Sequence, residues 1–265
     1  MPRKRRSQRE ERGGFGAPHR HYRVTDSTNE RARELVDAGA PGGTVVTARE
    51  QTAGRGRRGR VWTAPEGKAL LYSAVLRPLD ERHLLLPLSV PLAVCAAAEE
   101  LRPDIECQVK WPNDIWLEER KLSGILIESR PQDSWAIIGI GLNLSIAPDE
   151  FPPDLRHPAV SLFGAAKETR GGSRRSLPAV APPGPPSGLP AVTAALNRHL
   201  DHWVSAPLDE VLEEFRRRDA LLGREIGWED GSGVADGIDD RGNLVVVVPS
   251  GDRVSLGAGE VQLRL

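Results

Sequence analysis

The segment from Gln51 to Trp62 concentrates residues that can bind an anion. It mixes glycines with basic side chains: Gly54, Arg55, Gly56, Arg57, Arg58, Gly59 and Arg60. Glycine lets a backbone approach a ligand closely, and guanidinium groups keep their charge and suit carboxylates and phosphates. Because neighbouring cations repel one another, an anionic ligand would stabilise the segment. The composition predicts a loop that binds an anion; the alternative is a solvated arginine cluster without a ligand.

The same segment matches the glycine pattern of dinucleotide-binding loops, but its context argues against that function. In those loops the pattern opens a helix whose N-terminus holds the pyrophosphate. Here the run Val61-Trp62-Thr63-Ala64-Pro65 follows, and its β-branched residues and proline disfavour a helix. The sequence has no Walker A pattern either, so any ATP must be bound by other means.

Two further segments offer a cation or hydrogen-bonding groups. Lys110 ends a short predicted strand ahead of a proline turn and can place one positive charge in a cleft, although a strand-end lysine alone is more typical of a solvated surface. Ser27, Thr28 and Asn29 supply two hydroxyls and an amide that suit a urea-like group, although such residues also cap helices.

Glycines mark two more segments. Gly139 and Gly141 lie on one face of a predicted strand and leave that face bare for a flat ligand, or else mark a bulge. The run Lys121-Leu122-Ser123-Gly124 is typical of a turn into another strand. Since no Cys/His or Ser/His/Asp arrangement suggests a covalent nucleophile, we expect catalysis by charge stabilisation.

The elements around these segments predict a mixed α+β domain. Hydrophobic patterns predict strands at 44–48, 69–76, 105–110, 125–127 and 135–142, and helices at 84–101, 191–203 and 208–218. From residue 223 onward, short β-rich runs separated by Gly and Asp predict a small barrel. The predicted organisation is a disordered basic tail (1–18), a catalytic domain (19–219) with a flexible Gly- and Pro-rich insertion (167–190), and a small β-barrel domain (220–265).

In this order, the segments resemble biotin protein ligases. The similar runs are Ser-Thr-Asn at 27–29, Gln-Thr-Ala-Gly-Arg-Gly-Arg-Arg-Gly-Arg-Val-Trp at 51–62, Lys-Trp-Pro-Asn-Asp at 110–114, Lys-Leu-Ser-Gly-Ile-Leu at 121–126 and Gly-Ile-Gly-Leu-Asn at 139–143. The ending at 259–264 is also similar to the family, whereas 146–218 matches it only weakly. The resemblance implies an α+β biotin/lipoate ligase-type catalytic domain with a mixed sheet, followed by a small SH3-like β-barrel.

The resemblance also implies roles for individual residues. Biotin would contact Ser27, Thr28, Asn29, Gln51, Gly54, Arg55, Gly56, Arg57, Lys110, Gly124, Gly139 and Gly141. ATP or the adenylate would contact Arg57, Arg58, Arg60, Trp62, Lys110, Asn113, Lys121 and Asn143. Lys110, Arg55 and Arg57 would carry catalysis, with Lys110 beside the biotin carboxylate and the α-phosphate. The resemblance identifies no metal ligands.

The implied reaction has two steps. ATP with Mg²⁺ activates biotin to biotinyl-5'-AMP, and a specific lysine of the biotin carboxyl carrier protein of a biotin-dependent carboxylase then attacks the mixed anhydride. Positive charges from Lys110 and the loop would neutralise the two anionic reactants. The alternatives are a lipoate protein ligase, a non-catalytic ligand-binding protein and a nucleic-acid-binding protein that acts through the tail. Too few residues precede the motifs for a helix-turn-helix domain, so we expect no specific DNA binding.

Composition bounds the remaining classes. The formal net charge of the 265 residues is −1, although residues 1–12 hold six basic and two acidic side chains. The tail lacks the apolar core of a secretory signal, and the longest apolar run, 84–98, is shorter than a membrane span. Cys95 and Cys107 lack metal-ligand spacing and are predicted core residues. We expect a cytoplasmic monomer or homodimer without membrane association.

Overall fold

The computed structural model describes residues 14–155, 157–164, 188–257 and 261–263. The larger of its two sheets has seven strands: β1 (His19–Thr25), β2 (Val45–Gln51), β3 (Ala69–Leu76), β4 (Gln108–Lys110), β5 (Asp114–Leu117), β6 (Arg120–Arg130) and β7 (Trp135–Asn143). Their spatial order is β1-β2-β3-β7-β6-β5-β4. β1 and β2 pair in parallel and the other neighbours are antiparallel, which confirms the predicted mixed sheet.

Helices cover both faces of this sheet. They are α1 (Thr28–Asp37), α2 (Leu86–Leu101), α3 (Leu189–Trp203) and α4 (Leu208–Arg217). Because side chains alternate along a strand, the side chains of β3 pack on both faces of the sheet. Leu70, Tyr72 and Leu76 join the large core that also contains α2 and α3, whereas Val75 packs with Ala32 of α1. The α1 face is the one that carries the candidate site.

The C-terminal residues form a second, five-stranded sheet. Its strands are β8 (Glu225–Trp228), β9 (Gly231–Ile238), β10 (Leu244–Val247), β11 (Arg253–Leu256) and β12 (Gln262–Leu263), in the order β11-β10-β9-β8-β12. All four pairings are antiparallel. Ile226, Leu244 and Val246 belong to the same buried cluster as Leu85 and Leu88 at the start of α2. The predicted α+β class with a small β domain is confirmed.

Several sequence predictions need correction. The run 121–124 is not a turn, because it lies within β6; the turn comes earlier, where Glu118 and Glu119 have positive φ. The strand predicted over 105–110 is only three residues long, since the Cys107 N–H leaves the ladder and donates to Glu99 Oε1 at 2.8 Å. β1 and β5 were not predicted, because the side chains of β1 are mostly exposed and β5 has only four residues.

The two segments predicted to be disordered or flexible fall largely outside the described residues. Residues 1–13 and 165–187 are not described. The tail does not extend to residue 18, however, because Phe15 is only 7% exposed and its N–H donates to Asp201. The predicted insertion also ends too late, since α3 begins at Leu189. The domain boundary after residue 219 stays a prediction.

The two cysteines agree with their expected place in the core. Cys95 and Cys107 are free thiols with no exposed surface, as expected for core residues. Among the described residues, no helix combines the length and apolar character that crossing a bilayer requires.

Candidate active site

A cavity of about 920 Å³, including its open mouth, lies on the α1 side of the large sheet. The start of α1, the segment 55–62, the turn after β4, and strands β6 and β7 line it. Val261, at the far end of the chain, also contributes to the lining.

Sixteen predicted site residues line this cavity together. They are Ser27, Thr28, Asn29, Gln51, Arg55, Gly56, Arg57, Arg58, Arg60, Trp62, Lys110, Asn113, Lys121, Gly124, Gly139 and Gly141. Gly54 is not part of the described lining, and a Cβ at this position would lie 2.3 Å from the Trp62 carbonyl oxygen. Asn143 is not part of the lining either, because its Nδ2 donates to the carbonyls of Lys121 and Val160. These hydrogen bonds hold the chain after β7, and the contact of Asn143 with adenine stays a prediction.

One end of the cavity is a network of neutral polar groups. The N–H and hydroxyl of Thr28 both donate to Gln51 Oε1, at 2.7 and 2.9 Å. The Ser73 hydroxyl lies 2.8 Å from Thr28 Oγ1 and 2.6 Å from Asn29 Oδ1. Ser27 occupies the N-cap position of α1, but its side chain makes no capping hydrogen bond. These hydroxyl and amide groups can bind a ligand that both donates and accepts hydrogen bonds.

Two carboxylates, Glu30 and Glu128, lie beside residues 55–60, called here the arginine segment. Arg55 forms ion pairs with Glu30 at 3.2 Å and with Glu128 at 3.1 Å. Arg33 pairs with the same two acids, at 3.3 and 2.7 Å. Part of the charge of the arginine segment is thus balanced within the protein, which the sequence did not indicate.

The glycines of β6 and β7 make room for protein side chains. A Cβ on Gly139 would lie 2.2 Å from Asn29 Oδ1, and one on Gly141 would lie 2.3 Å from Trp62 Cε2. A Cβ on Gly124 would lie 2.9 Å from Cζ3 of the same indole. The expectation that this strand face is bare was wrong, because Asn29 and Trp62 lie against it. The glycines therefore act through these two side chains.

Lys110 is buried, contrary to the solvated position that is typical of a strand-end lysine. The residue is only 6% exposed, and its Nζ donates to the Val261 carbonyl at 3.2 Å. Nζ also lies 5.8 Å from the centroid of the Trp116 ring, within range of a cation–π interaction. A cation with so little water around it acts strongly on a neighbouring anion.

Further basic groups surround the turn after β4. Lys121 pairs with Asp114 at 2.7 Å and lies 5.7 Å from the Trp62 ring centroid. Arg57 donates to Asn113 Oδ1 at 3.2 Å. This end of the cavity is therefore cationic, in contrast to the neutral network around Thr28.

Tyr72 also lines the cavity, but as a structural residue. Its hydroxyl lies 2.8 Å from Asn197 Oδ1, and burial raises the pKa of the phenol well above its usual value of 10.0, assisted by the charge of Asp201. The phenol is therefore a hydrogen-bond donor within the core and not a base.

Sequence reasoning missed Ser73, Glu128 and Val261. Ser73 did leave a signal, because it is a polar residue within an otherwise apolar strand. Glu128 and Val261 left none, since their contacts depend on how distant segments meet.

The sequence and the fold of the chain are similar to those of known proteins. The chain matches the Biotin/lipoate A/B protein ligase family over residues 21–145 and the Biotin protein ligase C terminal domain over residues 222–264. It is 35% identical over 241 residues to the Biotin--[acetyl-CoA-carboxylase] ligase of Paracoccus denitrificans, which covers 87% of this chain and 94% of that protein.

Two further relatives define the extent of the similarity. The chain is 40% identical over 153 residues to the Bifunctional ligase/repressor BirA of Bacillus subtilis, and the match spans about half of that protein, 47%, and 56% of this chain. The biotin protein ligase from Aquifex aeolicus in complex with biotin and ATP has a TM-score of 0.70 at 28% identity, covering 93% of this chain and 98% of that one. Because the Paracoccus denitrificans protein is 35% identical and 94% of it is covered, the chain belongs to the biotin protein ligase family.

Proposed function

We propose that the chain activates biotin with ATP to biotinyl-5'-AMP and transfers the biotin to a lysine of a biotin carboxyl carrier protein. The observation that carries the proposal is one cavity with a neutral hydrogen-bonding end around Thr28 and a cationic end around Lys110. Biotin has the matching polarity, since it is a neutral urea at one end and a carboxylate at the other. The names of the relatives and the ligands of the Aquifex aeolicus protein support the same assignment.

Biotin would lie with its ureido ring against Thr28, Asn29 and Gln51, whose oxygens and amide groups form the neutral network. Its carboxylate would point toward Lys110 and the segment 55–60. The nucleotide would lie on the side of Trp62. Among the described residues, the indole N–H of Trp62 is buried with no hydrogen-bond acceptor, which a nucleotide would supply.

The first step brings a carboxylate oxygen to the α-phosphorus, forms a C–O–P anhydride and releases pyrophosphate. Both reactants are anions, so the barrier falls when fixed positive charges neutralise them. Lys110 is placed to do this, because its buried ammonium group is held in a preorganised position. Arg57, fixed by Asn113, adds a second cation at the same end. In the second step the carrier lysine attacks the acyl carbon and AMP leaves.

Mg²⁺ would accompany ATP and shield the charge of its phosphates. The described residues fit a metal held mainly by phosphate oxygens and water rather than by a protein cage. No group of three or more His, Cys, Asp or Glu side chains in the described ranges could hold a metal ion. Asp114 is the single carboxylate in the described cavity lining, and it is paired with Lys121.

The alternative substrate is lipoate, whose dithiolane ring lacks hydrogen-bond donors. Against such a ring, the polar groups of Thr28, Asn29 and Gln51 that face the ligand would lack hydrogen-bond partners. Leaving buried polar groups without partners costs free energy of binding. The network therefore favours biotin.

ATP–pyrophosphate exchange with biotin or lipoate tests the proposal. We expect exchange with biotin alone, followed by transfer of label when a biotin carrier domain is added. Equal exchange with both acids would contradict the assignment of biotin, and exchange without transfer would contradict the carrier.

A further inference from the structure

Glu128 connects the polar end of the cavity to the arginine segment. It lies on β6 on the same face as Gly124, because residues four apart in a strand share a face. Its Oε2 accepts a hydrogen bond from Asn29 Nδ2 at 2.7 Å. Its Oε1 contacts Arg33 at 2.7 Å and Arg55 at 3.1 Å. The two carboxylate oxygens therefore have different partners.

These contacts determine which way the Asn29 amide faces. A carboxylate between two guanidinium groups only accepts hydrogen bonds, so the amide nitrogen and not the oxygen must face Glu128. The amide oxygen then lies toward Ser73, at 2.6 Å. Glu128 uses one of the two Asn29 N–H groups, and the second remains as the donor that Asn29 offers to a ligand.

We propose that Glu128 is a positioning residue that selects a neutral urea over a cationic ring by fixing the orientation of the Asn29 amide. The inference rests on the proposed function, since it concerns the ring that the polar end would bind. A urea carbonyl accepts the Asn29 N–H that Glu128 does not use. A guanidinium in place of the urea has only hydrogen-bond donors. It cannot accept the hydrogen bond from this Asn29 N–H, so two donors would face each other.

Glu128→Gln should loosen this selection without a change in shape. Both arginines contact Oε1, so the oxygen of the substituted amide should occupy that position. The NH₂ group of the substituted side chain then faces Asn29. This favours the flipped Asn29 amide, with its oxygen toward that NH₂ group and its nitrogen toward Ser73, whose hydroxyl can also accept.

The test compares biotin with 2-iminobiotin, in which a guanidinium replaces the urea. Calorimetry without ATP gives the dissociation constants of both ligands for the wild type and Glu128→Gln. We expect the wild type to prefer biotin, and the preference to fall about tenfold or more in the variant, as mismatched buried polar groups imply. Thermal melting of the variant should remain close to that of the wild type.

Glu30→Gln is the matched control. The described ion pairs of Glu30 go to the same two arginines, so this variant removes an equal charge from the same cluster. An unchanged ligand preference in Glu30→Gln supports the proposal, whereas an equal fall in both variants overturns it in favour of a general charge effect. An unchanged preference in Glu128→Gln also overturns it. If the wild type binds biotin in this way but forms no adenylate, the proposed function fails while the role of Glu128 stands.

Discussion

Lys110 combines two properties that seldom occur together, a positive charge and almost complete burial. Its ammonium group contacts the Val261 carbonyl and the aromatic face of Trp116. Such contacts fix the position of the cation. An incoming phosphate or carboxylate would therefore meet a preorganised charge in a poorly solvated site.

Lys110→Met should separate this charge from the packing of the stem. Methionine keeps an unbranched apolar chain, so we expect a melting temperature near that of the wild type. Adenylate formation should slow on the order of 10²–10³-fold, as when one transition-state contact is removed. Single-turnover formation of biotinyl-adenylate measures the rate.

Lys110→Arg serves as the companion variant and should recover only part of the rate, because a planar guanidinium cannot place its charge at the ammonium position. A wild-type rate in Lys110→Met would mean that Lys110 is a bystander. The catalytic cation would then have to be sought among Arg55, Arg57 and Lys121.

At the scale of the element, β7 carries two glycines that each face one side chain of the candidate site. Gly139 faces Asn29 and Gly141 faces Trp62, two residues apart on one strand. In the proposed function, the first contact belongs to biotin and the second to the nucleotide. A short stretch of strand thereby sets the relative position of the two reactants.

Substituting each glycine by alanine should show whether Asn29 and Trp62 bind separate substrates. Gly139→Ala should raise KM for biotin about tenfold, and Gly141→Ala should raise KM for ATP by a similar factor, since each Cβ displaces one ligand-binding side chain. Initial rates of pyrophosphate exchange give both constants. Gly257→Ala, where the described surroundings are open, should change neither. If both site variants raise the same KM, Asn29 and Trp62 do not bind separate substrates.

The edge of β4, which ends in Lys110, is fixed by the chain after α4. The Val109 N–H donates to the Arg218 carbonyl at 2.8 Å, and the Ala220 N–H donates to the Val109 carbonyl at 3.0 Å. The Arg218 side chain binds Glu99 and Glu214 and the Cys107 carbonyl. A buried cation thus holds α2, α4 and β4 together.

This arrangement predicts a loss of stability in acid. Hydrogen bonds from Arg217, and further ones from Arg218, lower the pKa of Glu214 from 4.5 to about 2. A lowered pKa stabilises the fold when the group is ionised, so the contribution is complete above the unfolded pKa of 4.5 and disappears as the pH falls toward about 2.

Urea denaturation between pH 7 and 2 measures the effect. Glu214→Gln should have a lower free energy of unfolding than the wild type at pH 7, and the difference should shrink below pH 4.5. Glu213→Gln, at the exposed neighbouring position, should follow the wild type throughout. A difference that stays constant with pH would contradict the assignment to the Glu214 carboxylate.

The sequence predicted residues that line the cavity, but it did not predict the long-range contacts that hold them in place. Thr28, Gln51, Arg57 and Lys110 were predicted because each belongs to a short run of distinctive residues. The contact of Ser73 with Asn29 spans 44 positions and that of Glu128 with Asn29 spans 99, so both depend on strand register. Local patterns fix the period of a strand but not which distant residues it brings together.

At the scale of the whole molecule, the C-terminal region contributes to the candidate site. The Trp111 indole N–H donates to the Gly242 carbonyl at 3.1 Å, next to the contact of Lys110 with Val261. Val261 is 1% exposed in the core cluster that also contains α2. The two sheets therefore share a core as well as a site.

A chain that stops after Gly257 should lose both the core packing of Val261 and its hydrogen bond with Lys110. It lacks β12 and Val261, and the burial of one valine alone contributes roughly 1.5–3 kcal/mol. We expect a lower melting temperature and slower adenylation, because Lys110 loses its carbonyl partner. A chain that stops after Leu263 is the control and should retain both properties. Wild-type adenylation by the shorter chain would show that the Val261 carbonyl does not help to hold Lys110.

The hydrogen bond between Lys110 and Val261 also has a consequence for biosynthesis. The two residues are 151 positions apart, so a ribosome must add that many residues to a chain that already carries Lys110 before its partner exists. At typical elongation rates this takes roughly 8–30 s. During that interval the nascent chain holds the other cavity-lining residues without the contact that fixes its cation. Under the proposed function, a newly made chain should therefore reach its full rate of acyl-adenylate formation only after Val261 has been added.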